Sequence, residues 1–162
     1  MSTAPKTVYD FTLTRLDNTP LRLAEFTNRP ILVVNTASKC GFAPQLDDLK
    51  QLKEKWTDHG LEIIAFPSNQ FKQEPLNAQS ICSLAENYPF PFMKPVILNG
   101  SNTEPFFAFL KTKCPGIFNS KRIKWNFTKF FIDRSGQPIL RFSPITPIYK
   151  VDKRIRPYIC TD

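Results

Sequence analysis

Cys40 is the residue in this chain best placed to do chemistry. It stands in ILVVNTASKCGFAPQ, residues 31–45, where an apolar run from Ile31 to Val34 gives way to small polar residues, the cysteine, Gly41 and a proline. That order reads as a buried strand stopping at a loop, with the thiol in the loop just ahead of a helix. A side chain at such a reversal can reach solvent, and the unpaired N–H groups and dipole of a helix start favour a thiolate. An ordinary thiol, of pKa about 8.5, is only a few per cent ionised at neutral pH, so such an environment raises the nucleophilic fraction several-fold. The same stretch also fits a cysteine buried behind a core strand, and taken alone it leaves both readings open.

The other candidates are sparse. Besides Cys40 there are Cys82, Cys114 and Cys160, and no two are separated by two residues. That spacing offers neither a zinc knuckle nor a Cys-x-x-Cys redox pair, and no metal is expected. A single histidine, His59, makes a histidine-rich metal centre implausible, and any Cys–His pair would depend on it alone. It closes a helical stretch and reads as an exposed residue there. The net charge of +8 is uneven: Lys111 to Lys129 holds Lys111, Lys113, Lys121, Arg122, Lys124 and Lys129 with no acidic residue, and the tail adds Lys150, Lys153, Arg154 and Arg156. Such a run is either a solvated face or a patch for an anion: nucleic acid, an acidic membrane, or a negatively charged substrate or partner. No helix-turn-helix, zinc or RNA-binding motif accompanies it, so nucleic acid is not expected.

The elements that must position Cys40 follow from periodicity. Val8 to Leu13 alternates as a half-buried strand, and Asp17-Asn18 can turn it back into Leu21–Leu23 as a hairpin. Pro44 to Gly60 carries helix signals, with Leu46, Leu49, Leu52 and Trp56 on one face. Leu61 to Phe66 is the next apolar run, so strand, helix and strand form a βαβ unit with parallel strands. Asn77 caps a helix to about Tyr88 with Ile81, Leu84 and Ala85 inward. Val96–Leu98 reads as a short strand, and Pro105–Lys111 as a short helix. Phe130–Ile132 and Ile139–Phe142 flank Asp133-Arg134-Ser135-Gly136 as an antiparallel hairpin. The tail from Pro147 has helical spacing that Pro157 should stop. These elements predict one α/β domain over residues 1–162: a mixed sheet with helices on both faces and Cys40 at the carboxyl end of a parallel strand.

Composition agrees with a folded domain: 162 residues, abundant phenylalanine, and 15 prolines that favour short elements. No apolar run approaches the ~20 residues of a membrane span, and the first residues lack a signal-peptide core, so the cytoplasm is the expected location. Free, catalytic or redox-sensing cysteines are the rule there.

Three stretches, VNTASKCGFAPQ, FPSNQFKQEP and IKWNFTKFFIDRSG, resemble in order and spacing the signatures of the glutathione peroxidases, and the likeness runs from about Tyr9 to Phe142. The resemblance implies a thioredoxin-like fold and reduction of hydrogen peroxide and organic or lipid hydroperoxides. It places Cys40 at the peroxidatic position and Gln70, Trp125 and Asn126 at the other three positions of the catalytic tetrad. Those types suit the task, because an attacking thiolate and a departing oxygen both need hydrogen-bond donors. The sulfenic acid formed on Cys40 must then be reduced. Cys82 resembles the resolving cysteine of thioredoxin-dependent members, while Cys114 and Cys160 match no family role. Thioredoxin is thus the implied reductant, with glutathione, or a sensor that passes oxidation to a partner protein, as alternatives. No bound cofactor is implied. Lys121, Arg122 and Lys124 lead into Trp125 and would steer anionic substrates or an acidic reductant. NQFKQEP is one residue shorter than the usual pattern after Phe71, and Ser68 stands where many members have cysteine. The chain lacks the internal insertion of tetrameric members, so it resembles the compact monomers or dimers.

Overall fold

The computed structural model describes residues 3–72 and 77–160. The chain opens with a hairpin, β1 (Thr12–Thr14) and β2 (Pro20–Arg22), paired antiparallel. Then come β3 (Ile31–Thr36), α1 (Gln45–Trp56), β4 (Glu62–Pro67), α2 (Ala78–Ala85), α3 (Pro105–Lys113), β5 (Lys129–Ile132), β6 (Pro138–Phe142) and α4 (Ile148–Ile159). Strands β4, β3, β5 and β6 lie in that order in one sheet. β3 runs parallel to β4 and antiparallel to β5, and β5 is antiparallel to β6. This is the expected mixed sheet, with the βαβ unit at one edge and the hairpin at the other.

β3 is the axis of the molecule. All six of its residues are buried, which is why it reads as a continuous apolar run rather than an alternating one. Leu32 and Val34 face a core layer built from Leu46, Leu49, Leu52 and Trp56 of α1 and Ile148, Val151, Ile155 and Ile159 of α4. Ile31 and Val33 face the opposite layer, with Phe106, Phe107 and Leu110 of α3 and Leu13 and Leu21 of the hairpin. Each such side chain contributes roughly 1.5–3 kcal/mol by leaving water. The Trp56 indole N–H donates to Asp152 at 2.7 Å and pins α1 to α4. Gly60 ends the α1 segment at φ 83, a left-handed cap that glycine adopts without strain.

Three expectations give way to local chemistry. Val8–Asp10 is a 3₁₀ turn, not a strand: Thr7 and Asp10 form a reciprocal capping box that outcompetes the alternating pattern. Val96–Leu98 is not a strand either. The sheet-like bridges form upstream, Phe92 with Ala65 and Met93 with Arg15, while Val96 N–H donates to the Pro67 carbonyl. α4 runs through Pro157 to Ile159. That proline sits in the last turn and forfeits one helical bond, and the apolar stripe from Ile148 to Ile159 outweighs the loss.

Candidate active site

Cys40 lies between β3 and α1, five residues before the helix starts. α1 begins at Gln45, and residues 37–47 pass through overlapping turns: Cys40 N–H to the Ala37 carbonyl, Ala43 N–H to Cys40, Gln45 N–H to Phe42, and Asp47 N–H to Pro44. The turns fold the chain back over the thiol, which is only 4% exposed, packed in the α1–α4 core layer rather than reaching freely into solvent. The Phe42 backbone N–H lies 3.5 Å from the sulfur.

Trp125 and Asn126 sit on a turn that β3 itself fastens. Asn35, buried in β3, donates through Nδ2 to the Trp125 carbonyl at 3.3 Å and accepts through Oδ1 from Thr128 N–H at 3.1 Å. Its backbone carbonyl accepts Phe127 N–H at 2.7 Å. Phe127 is held at φ 64, a left-handed conformation that costs a non-glycine residue on the order of 1–3 kcal/mol. The bonds from Asn35 and the full burial of the Phe127 ring hold it there. The turn leaves Trp125 37% exposed. It buries Asn126 completely, with neither amide atom hydrogen-bonded among the described residues.

Gln70 is built into the same end of the sheet by another asparagine. Its Oε1 accepts Leu98 N–H at 2.8 Å and Asn99 N–H at 3.0 Å, and its Nε2 donates to the Asn99 carbonyl at 3.1 Å. Asn99, buried, is bonded in both directions to the Ile123 backbone, two residues before Trp125. Ser68 carries the Gln70 N–H on its hydroxyl at 3.3 Å, so the residue standing in the place of a cysteine serves as a hydrogen-bonding support. The Phe71 ring meets the Trp125 ring at 5.4 Å. Gln70, Trp125 and Asn126 therefore belong to one hydrogen-bonded and ring-packed unit, and Cys40 shares its core layer with Phe127. One of the two Nε2 hydrogens of Gln70 is committed to Asn99. Residues 73–76, the rest of the shortened loop, lie outside the described residues.

Asn35 and Asn99 organise the site, and sequence reasoning missed both. Asn35 is one of the small polar residues that close an apolar run, and Asn99 directly follows the stretch Val96–Leu98. The usable signal was an asparagine inside or directly after an apolar run, where a buried amide must find partners.

Cys82 is exposed on α2, beside a shallow hollow floored by Leu16, Phe90 and Phe92. Cys40 and Cys82 are both free thiols. Cys114 is buried, and burial pushes its thiol pKa up, which suits an inert residue. His59 is exposed at the end of the α1 segment, its ring against Trp56. Lys121, Arg122 and Lys124 are exposed. Arg122 and Lys124 line a hollow of about 280 Å³ with Thr128 and Arg141. Lys129 departs from the expected basic face: it is fully buried.

The family model for glutathione peroxidase matches residues 8–111. A glutathione peroxidase of Lactococcus lactis is 39% identical over 91% of this chain and 96% of its own length. A glutathione peroxidase-like peroxiredoxin 2 of Saccharomyces cerevisiae is 41% identical over 82% of this chain and 84% of its own. A hydroperoxy fatty acid reductase of Synechocystis is 39% identical over 88% of this chain and 89% of its own. Among solved structures, T. cruzi GPX1 superposes with TM-score 0.80 at 34% identity, over 95% of this chain and 97% of that one. A thioredoxin-family thiol:disulfide interchange protein of Chlorobium tepidum, at TM-score 0.69 and 16% identity, shares the fold, which is thioredoxin-like.

Proposed function

Because the chain belongs to the glutathione peroxidase family, we propose that it is a thiol peroxidase in which Cys40 attacks the hydroperoxide. The observation that carries this is the Asn126 amide, fully buried yet bonded to nothing among the described residues, on a strained turn that β3 holds in place. A buried amide without partners costs about 1–3 kcal/mol. It is retained usefully when a substrate oxygen or a thiolate completes it. The Cys40 thiolate forms a bond to one peroxide oxygen as the O–O bond breaks. The departing oxygen takes a proton and leaves as water or alcohol, and Cys40 is left as a sulfenic acid. The Asn126 amide, the Trp125 indole N–H and the second Nε2 hydrogen of Gln70 supply donors for the charge that develops on oxygen.

Recycling is assigned to Cys82. Its exposure on α2 supports attack on the oxidised Cys40 to form a disulfide, with loss of water, that thioredoxin then reduces. The yeast relative named as a peroxiredoxin favours this mode. The relative named as a fatty acid hydroperoxide reductase favours lipid substrates, and the exposed Ile117 and Phe118 amid the basic face support contact with an acidic membrane. Direct reduction by glutathione is the alternative.

The test is hydroperoxide consumption under thioredoxin with its reductase, and separately under glutathione with its reductase. Turnover with thioredoxin, abolished in Cys40→Ser, is expected. Undiminished activity of Cys40→Ser would refute the assignment, and turnover with glutathione alone would replace the recycling mode.

A further inference from the structure

Lys129 opens β5 between β3 and β6, opposite Val34 and Phe142. It lies on the side of the sheet that Phe131 presents to the core layer containing Cys40, Phe127 and Phe142. Its ammonium is out of water and meets no carboxylate among the described residues. Nζ instead donates to three backbone carbonyls of the segment joining β6 to α4: Ser143 at 3.2 Å, Pro144 at 3.2 Å and Thr146 at 2.9 Å. The Pro144 carbonyl has a second donor, Gln45 Nε2 at 2.8 Å, and Gln45 is the first residue of α1.

A buried, unpaired cation is a costly way to fill space that a methionine would fill. What it does here is join two halves of one site. On one side, the Phe42 N–H donates to the Cys40 sulfur and the Phe42 carbonyl accepts from Gln45 N–H. On the other, the Thr128 hydroxyl donates to the Trp125 carbonyl at 3.0 Å, and Thr128 leads directly into Lys129. Both halves end on the Pro144 carbonyl. We propose that Lys129 is a positioning residue that clamps the 143–146 segment and so fixes the separation between the Cys40 thiol and the Trp125–Asn126 donors. The proposal rests on the reading of those residues as the reacting groups.

The clamp is matched to the charged form. An ammonium has three hydrogens for three carbonyls, whereas the neutral amine has two and would turn a lone pair on the third. Burial pushes the Lys129 pKa down to about 7. Among the described residues no carboxylate offsets this, and the Cys40 thiol shares the same core layer. On α1, Asp47 and Asp48 are exposed. On α4, Asp152 is engaged by Lys55, Trp56 and Arg156, and Lys150 is exposed. On β6, Arg141 lies over Phe130 on the other side of the sheet. β3 presents Leu32 and Val34. The clamp is therefore complete below about pH 7 and loosens above it.

The experiment compares wild type, Lys129→Met and Lys129→Arg, which stays charged throughout. At each pH the single-turnover rate of Cys40 with hydrogen peroxide is divided by its alkylation rate with iodoacetamide. Alkylation also needs the thiolate but does not use the donors. The ratio should fall in wild type as pH rises through about 7. In Lys129→Met it should be at least about tenfold lower and flat, and in Lys129→Arg high and flat. Trp125 fluorescence in a Trp56→Phe background should show a transition near the same pH that Lys129→Met abolishes. Equal, parallel profiles for wild type and Lys129→Met in both measurements would overturn the proposal. If Cys40 proved not to be the reacting thiol, the reading of the site would fail while the fluorescence transition still decided whether the clamp exists.

Discussion

Asn126 separates stability from activity more cleanly than any other residue of the site. Most buried polar side chains stabilise a fold through the bonds they make, and this one makes none among the described residues. Asn126→Leu, close in volume, should therefore leave unfolding in urea unchanged or shift it toward greater stability by about 1 kcal/mol. The same substitution should slow the reaction of Cys40 with hydrogen peroxide by about 10²-fold, the usual cost of losing one donor at a developing negative charge. Asn35 predicts the reverse balance. Its side chain holds two backbone groups of the turn, so its loss should weaken the fold first. Stopped-flow oxidation and urea unfolding on the same samples check both halves. An Asn126→Leu protein that reacts normally would remove the amide from the mechanism.

At the scale of elements, α2 is the one with least to hold it. Asn77 caps it at 2.9 Å, but Ile81 is its only buried residue, and its ends carry no charges that offset the dipole. The proposed resolution by Cys82 asks for that looseness, since a disulfide needs Cα atoms within roughly 7 Å and the two cysteines belong to different elements. Amide exchange in α2 should be faster than in α1 and faster again after peroxide treatment. Non-reducing peptide maps should show a Cys40–Cys82 disulfide, and Cys82→Ser should keep the first reaction while losing turnover with thioredoxin. A disulfide that excludes Cys82 would end the two-cysteine account. The sequence made β3, α1 and β4 legible because their apolar spacing is governed by burial on the sheet and by one helix face. The α2 cap and the β5–β6 hairpin were legible from their cap and turn residues. What was hidden depends on partners far away in the chain. Asn35 finds Trp125 and Thr128, Gln70 finds Leu98 and Asn99, and Lys129 inside a basic run finds three carbonyls of a later turn. Periodicity carries no record of such pairings.

The molecule as a whole is a basic body with its candidate site at one end of the sheet, and the charge around that end is smaller than the composition suggests. Lys129 is inside, and Lys111 is tied by its ammonium to the Leu98 carbonyl at 2.6 Å. Lys121, Arg122 and Lys124 remain exposed beside Trp125, with Lys150, Lys153 and Arg154 across a neighbouring groove from Arg141. Exposed charges act through solvent, so their reach is set by salt: about 10 Å at 0.1 M and about 3 Å at 1 M. They raise encounter rates with an oppositely charged partner and do nothing for a neutral one. The expected result is that kcat/KM for an acidic reductant protein falls steeply with ionic strength, while the single-turnover rate with hydrogen peroxide stays level. Reversing Lys121 and Lys124 to glutamate should reproduce at low salt the weak reductant kinetics that wild type shows at high salt, again sparing the peroxide step. Both side chains are exposed, so neither change should cost measurable stability. Equal losses in the two half-reactions would mean that the substitutions disturb the Trp125–Asn126 turn itself, and that the basic face has no part in bringing the reductant in.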